Sequence, residues 1–257
     1  MLQVQPIPAF DDNYIWMAGA AGDTAVLAVD PGDASVVEHW LTQEGKNLAA
    51  ILITHHHADH TGGVAALTAD RDIPVYGPAN SPCSLITHPL NDGDQLDLLG
   101  ASFAVRATPA HTLDHISYYL AGSQPQLFCG DTLFLAGCGR LFEGSAEQMQ
   151  AAMDYFASLP DNTEVYCTHE YSLANLRFAQ AVEPDNSHIQ AAIDRCQELR
   201  KQHWPTLPSH IGEEKRINPF MRTRDADVVT AAGKRGTGSC QPGSETLAAI
   251  RQWKDVF

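Results

Sequence analysis

The stretch Thr54-His55-His56-His57-Ala58-Asp59-His60-Thr61-Gly62-Gly63 places four side chains that can ligate a metal, His55, His57, Asp59 and His60, within six residues. Imidazole nitrogen mixed with carboxylate oxygen suits zinc and other first-row divalent ions. In an irregular turn, His55 and His57 can point to one side while Asp59 and His60, opening a helix, point to another. One loop can therefore serve two ions. Four groups do not fill two coordination shells, so further ligands must come from elsewhere in the chain.

Three candidates stand at strand-to-loop junctions, where open sheets expose functional groups. His111 follows an expected strand at 102–108, Asp131 follows one at 126–129, and His169 follows one at 163–167. Any one of them alone reads as a capped turn residue or a core histidine. With the loop they make five histidines and two aspartates. If Asp131 bridges, His55, His57, His111 and Asp131 hold one ion, and Asp59, His60, His169 and Asp131 hold the other. His56 alternates away from its neighbours. His39, His88, His115, His188, His203 and His210 read as ordinary, His115 being the most arguable.

Water on such an ion ionises near pH ~7, which supplies a hydroxide nucleophile without serine or cysteine. The chain has no nucleophile elbow. The expectation is two divalent ions, zinc by default with iron or manganese also possible, a bridging hydroxide as nucleophile, and Asp59 both ligating and orienting it.

The elements that must position these groups follow from periodicity and turn residues. Strands are expected at 2–8, 12–18, 24–29, 48–53, 73–76, 95–98, 102–108, 115–120, 126–129 and 163–167. Helices are expected at 34–44 with Gly45 as the stop, at 60–69, and after the capping box Ser145-Ala146-Glu147-Gln148. The Pro- and Ser-rich segment 77–89 reads as loop. Beyond 170 only helices are expected, at 172–183, 187–203, 225–232 and 244–255. Strands alternating with helices, then helices alone, predict an α/β domain at 1–170 and a helical one at 171–257.

Charge is uneven. Residues 1–170 hold four Lys/Arg against 21 Asp/Glu, and residues 171–257 hold 12 against 10. An acidic chain with net charge -15 argues against nucleic-acid binding. The asymmetry suggests that the first part holds cations and the second receives an anionic ligand. No run is long and apolar enough to span a bilayer, so no membrane partner is expected. The N-terminus has no secretory signature, and the six cysteines are scattered without a Cys-x-x-Cys pair, which points to free thiols in a reducing cytoplasm. No heptad or long apolar surface run calls for oligomerisation, so a monomer is expected.

The loop THHHADHTGG, with Pro109-Ala110-His111, Gly130-Asp131-Thr132-Leu133-Phe134 and Thr168-His169-Glu170-Tyr171, resembles the metallo-β-lactamase superfamily. More narrowly, the chain resembles the hydroxyacylglutathione hydrolases (glyoxalase II). That match rests on Asp12-Asn13-Tyr14, Ala136-Gly137-Cys138-Gly139-Arg140, His169 to Asn175, Asn218-Pro219-Phe220-Met221-Arg222 and Arg251-Gln252-Trp253-Lys254. The resemblance implies a four-layer αββα sandwich carrying two metals, followed by a helical domain that helps bind glutathione. It implies hydrolysis of S-(2-hydroxyacyl)glutathione thioesters, typically S-D-lactoylglutathione to D-lactate and glutathione, the second step of methylglyoxal detoxification. It places glutathione contacts at Arg140, Phe142, Tyr171, Arg251 and Lys254. The family pattern has Lys and Tyr where this chain has Arg140 and Phe142, so the charge survives and a hydroxyl is lost. By spacing alone, Arg251 and Lys254 read as a solvated face of the last helix.

Overall fold

The computed structural model describes residues 2–235 and 239–257, in two compact units. The first takes the chain up to Ala107 together with Asp114–Gly130, and the second takes Thr108–Leu113 together with Asp131–Phe257.

In the first unit, β1 (Gln3–Ala9), β2 (Asn13–Gly19) and β3 (Ala25–Val29) run antiparallel, with Ala9 paired to Asn13 across a short turn. Asp33 then caps α1 (Ala34–Glu44) by accepting the Ser35 N–H at 2.8 Å, and Gly45 ends it in the left-handed region at φ 63. β4 (Asn47–Leu52) lies parallel to β3. After the histidine loop come α2 (Ala58–Thr61), α3 (Val64–Thr68), β5 (Val75–Pro78) and β6 (His88–Leu90), the two strands continuing the parallel part of the sheet. Because β3 and β4 are parallel, their C-terminal ends share one edge, and Asp30 and Thr54 stand there. Val37 and Leu41 of α1 and Val64 and Leu67 of α3 pack with Val26, Ala28, Ile51 and Ile53 of the sheet side. Burying each large side chain of that set is worth about 1.5–3 kcal/mol.

A second group of strands, β7 (Gln95–Leu98), β8 (Ala101–Ala107), β9 (Ile116–Leu120) and β10 (Gln126–Gly130), forms an antiparallel meander. It is tied to the first sheet at the functional edge. The Tyr118 hydroxyl donates to the Ile53 carbonyl at 2.7 Å, and Ile116 N–H donates to the Thr54 carbonyl at 2.9 Å.

The second unit opens with a hairpin, β11 (Leu133–Phe134) and β12 (Gly137–Cys138), followed by α4 (Ala146–Ser158) with both bonds of the expected capping box. β13 (Glu164–Cys167) leads to α5 (Ser172–Val182) and α6 (Ser187–Lys201). β14 (Ser209–His210) pairs with β13, and α7 (Ile211–Ile217), α8 (Ala226–Arg235) and α9 (Ser244–Asp255) complete the unit. Phe178 of α5 lies at the centre of its aromatic packing, stacked on Phe220 and edge-on to Trp253 and Phe257.

Several sequence expectations are corrected. The single helix at 60–69 is two short ones, because the Gly63 N–H is taken by the Pro31 carbonyl at 3.0 Å instead of continuing the helix. The strand expected at 73–76 lies at 75–78, and the loop 77–89 runs into β6. Strands do not vanish after 170, since β14 follows, and α7 was not anticipated.

Candidate metal centre

In the first unit the ligand loop leaves the end of β4 and is held from behind by Asp30. That residue sits just past β3 at φ 52, a conformation aspartate tolerates better than most side chains. Its Oδ1 accepts the Thr54 N–H at 2.8 Å, and its Oδ2 accepts the Thr54 hydroxyl at 2.7 Å and the His60 Nδ1–H at 3.0 Å. The Thr54 oxygen, having donated its own proton, faces His55 Nδ1 at 3.1 Å. A proton on Nδ1 of each ring leaves Nε2 as the lone-pair nitrogen that a metal needs. His55 Nε2 lies 3.1 Å from His57 Nδ1, and His60 Nε2 lies 3.5 Å from Asp59 Oδ2. Asn13 steadies the Asp59 carboxylate by donating to Oδ2 at 3.0 Å. Gly32 is required here, because a Cβ would collide with the Asp59 carbonyl oxygen.

His56 is turned to Asp114 at 2.9 Å, in keeping with its expected departure from the ligand set. His115, the arguable one, is buried and stacks on His55 with ring centroids 4.8 Å apart.

The second unit brings together the other three expected ligands. Asp131 Oδ2 lies 3.5 Å from His111 Nε2 and 3.3 Å from His169 Nε2. His111 Nδ1 donates to the Arg140 carbonyl at 2.9 Å, again leaving Nε2 to ligate. The His169 ring lies flat against Tyr171, centroids 4.7 Å apart at 4°, and edge-on to Phe134.

The donors fit a divalent ion. Around an ion that binds nitrogen and oxygen at about 2.0–2.1 Å, neighbouring tetrahedral ligands are roughly 3.3 Å apart. The imidazole–imidazole and imidazole–carboxylate separations within each unit, 3.1 to 3.5 Å, match that edge.

The five expected glutathione contacts divide into two kinds. Arg140, Phe142 and Tyr171 are exposed, Phe142 lying edge-on to the His111 ring. Arg251 and Lys254 are not a solvated helix face, and that reading is corrected. Arg251 is 5% exposed, with Nη1 donating to the Cys138 carbonyl at 2.9 Å and Nη2 to Asp255 at 3.0 Å. Lys254 donates to Asn175 Oδ1, and burial followed by the nearby Arg251 charge lowers its ammonium pKa to about 7. Periodicity could not show this, because hydrophobic spacing treats arginine and lysine as surface residues, whereas here Arg251 is buried and Lys254 half-buried.

A model described as the metallo-beta-lactamase superfamily matches residues 13–169, and one described as the hydroxyacylglutathione hydrolase C-terminus matches residues 170–257. Curated hydroxyacylglutathione hydrolases from Chromohalobacter salexigens and Hahella chejuensis are 50% and 49% identical, each covering 100% of both chains. The chain belongs to the hydroxyacylglutathione hydrolase family. As a member it is a metal-dependent hydrolase of the metallo-β-lactamase fold with a helical C-terminal region, the fold class expected from the sequence. Among solved structures, ETHE1 from Myxococcus xanthus is 25% identical with a TM-score of 0.62, over 85% of this chain and 83% of that one. TTHA1623, solved in a di-iron-bound form, is 24% identical with a TM-score of 0.59, over 84% and 99%. Family membership and the His/Asp content together point to a dimetal site in this hydrolase.

Proposed function

We propose that the chain hydrolyses S-(2-hydroxyacyl)glutathione thioesters, S-D-lactoylglutathione above all, releasing D-lactate and glutathione. The observation that carries the chemistry is Asp131 Oδ2 standing against two histidine Nε2 atoms, at 3.5 and 3.3 Å. Whole-length relatives at 50% identity support the substrate. His55, His57, His111 and Asp131 are assigned to one ion and Asp59, His60, His169 and Asp131 to the other, zinc being the first expectation. A catalytic region is assigned to 1–170 and a glutathione-binding region to 171–257, a division supported by the family models that match 13–169 and 170–257. Six free thiols support a reducing cytoplasm, and a monomer remains the expectation.

Bound divalent ions supply ionised water near neutral pH and a Lewis acid for the carbonyl oxygen. The chain's own residues do the rest. Asp59, partly exposed and braced by Asn13, orients the attacking water. Tyr171 against His169 and Phe142 against His111 put aromatic rings beside the ligands, exposed to an incoming substrate. Arg140, Arg251 and Lys254 favour the peptide carboxylates of glutathione, holding the reacting carbonyl in place. The glutathione thiolate leaves without help from a general acid.

The test is loss of thioester absorbance with S-D-lactoylglutathione beside the same acyl group on a thiol lacking the peptide. Fast hydrolysis of the glutathione ester alone is expected, and equal slow rates on both would discard the glutathione assignment.

Two further outcomes follow from α9. Lys254 is depressed to about 7, so it is mostly neutral above that pH and its attraction for a carboxylate fades as pH rises. KM is therefore expected to climb between about pH 7 and 8.5, and Lys254→Arg should flatten that climb. A KM independent of pH in the parent would remove Lys254 from the binding site. Arg251→Ala should raise KM and also cost stability, about 1–3 kcal/mol, because the buried Cys138 carbonyl loses its donor. Urea unfolding with an unchanged midpoint would count against that structural share.

A further inference from the structure

The hairpin β11–β12 turns at Leu135-Ala136, and residues 133–138 are all buried. Ala136 holds φ 54, an uncommon conformation for a residue with a Cβ. Water cannot serve the polar backbone of so deep a turn, and side chains serve it instead: Asn175 of α5 donates to the Leu135 carbonyl at 3.0 Å, and Glu214 of α7 with its C-cap Asn218 serves the rest. Asn218 Nδ2 donates to the Phe134 carbonyl at 3.2 Å and the Gly137 carbonyl at 3.0 Å, while Glu214 Oε2 accepts the Ala136 N–H at 2.9 Å. Asn218 Nδ2 also lies 3.0 Å from that same Glu214 oxygen. Both side chains are 0% exposed. The amide orientation of Asn218 is fixed, because its Oδ1 accepts the Phe220 N–H at 3.0 Å and so turns the amino group to the hairpin.

What this turn connects is the reason for so many bonds. Asp131 lies two residues before β11, and Arg140 lies two residues after β12. The Arg140 carbonyl accepts the His111 Nδ1–H at 2.9 Å. Between them, Gly139 N–H donates to the Thr132 carbonyl at 3.4 Å, and a Cβ at Gly139 would strike the Asp131 carbonyl oxygen and crowd the His111 ring. One end of the hairpin thus carries a carboxylate ligand and the other orients an imidazole ligand.

We propose that Glu214 and Asn218 are positioning residues for hydrolysis, fixing the 133–138 turn and through it both the Asp131 carboxylate and the tautomer and angle of His111. The inference rests on the reading of Asp131 and His111 as metal ligands. A buried carboxyl is a costly way to fill space, and an apolar side chain would serve packing alone. What glutamate adds is one oxygen that accepts from two N–H groups at once. Burial pushes the Glu214 carboxyl up to about 7, so a neutral isostere that keeps an oxygen at this place should substitute for it.

The experiment compares Asn218→Ala, Glu214→Ala and Glu214→Gln with the parent, each loaded with cobalt(II). The visible spectrum of the ion reports ligand geometry without any substrate. Residues that orient metal ligands from behind typically contribute 10- to 100-fold to affinity or activity. For the two alanine variants the expected result is a kcat on S-D-lactoylglutathione lower by about that factor, KM within about two-fold of the parent, and an altered cobalt spectrum. Glu214→Gln is expected to restore both kcat and spectrum. A folded Asn218→Ala protein of lowered Tm that keeps the parental kcat and spectrum would reduce the pair to plain packing and overturn the proposal. Should that variant fail to fold, Glu214→Ala, which removes only the acceptor of the Ala136 N–H and leaves Asn218 in place, decides by the same two outcomes. A parent that binds cobalt yet leaves the thioester intact would refute the substrate reading, while the spectra would still decide the positioning role.

Discussion

Replacing Asp131 by alanine is expected to leave at most one metal per chain and to lower thioester turnover by roughly a thousand-fold, equivalent to about 4 kcal/mol of barrier. Its Oδ2 lies within 3.5 Å of two histidine Nε2 atoms, His111 and His169. In the proposed assignment it serves both ions, so its removal takes one ligand from each. Three protein ligands hold a divalent ion less well than four, and a carboxylate is also the group that offsets the charge of two cations. Asp131→Asn should be milder in metal content than in rate, because the amide oxygen still ligates but carries no charge. Elemental analysis of the dialysed variant together with the absorbance assay measures both. Full metal content and full activity in Asp131→Ala would sink the bridging role.

Asp131 stands out in the sequence as a candidate ligand, for reasons that divide the readable from the unreadable. The loop at 55–60 announces itself because ligands adjacent in sequence are chemically unusual. His111, Asp131 and His169 stand out as candidates because each closes a strand with a clear apolar run. α1 was readable from its spacing and from Gly45, whose left-handed conformation ends it at the expected residue. β11, β12 and β14 have two residues each, too short for any alternation to register. The broken helix at 62–63 depended on a tertiary bond, Gly63 N–H to Pro31, that no local pattern encodes. Arg251 was read by spacing as solvated because its identity is polar, whereas the Cys138 carbonyl it satisfies lies over a hundred residues away in sequence.

Asp30 carries a sequence signal of its own. It ends a strand whose parallel neighbour ends in the ligand loop, so the two termini must share an edge. The structure makes it the acceptor for Thr54 and His60, and this leads to the second large effect. Asp30→Asn is expected to lower metal affinity by about 10- to 100-fold, although it changes no ligand and almost no volume. An asparagine here has two orientations, and both fail. With its amino group in place of Oδ2, it donates toward His60 Nδ1, which must then accept, so the ring proton moves to Nε2 and the metal-facing lone pair is lost. With the amino group in place of Oδ1, it meets the Thr54 N–H donor to donor at a distance now 2.8 Å, and the end of β4 must shift. Removal of the negative charge adds to either loss, since an anion behind His60 makes the imidazole a stronger ligand. Competition with a chromophoric chelator measures the affinity, and nitrogen-15 shifts of the histidine ring nitrogens report the tautomer. A variant with parental affinity and an unchanged Nδ1–H tautomer at His60 would show that Asp30 only shapes the turn, and the proton chain from Asp30 through Thr54 to His55 would then have no share in metal binding.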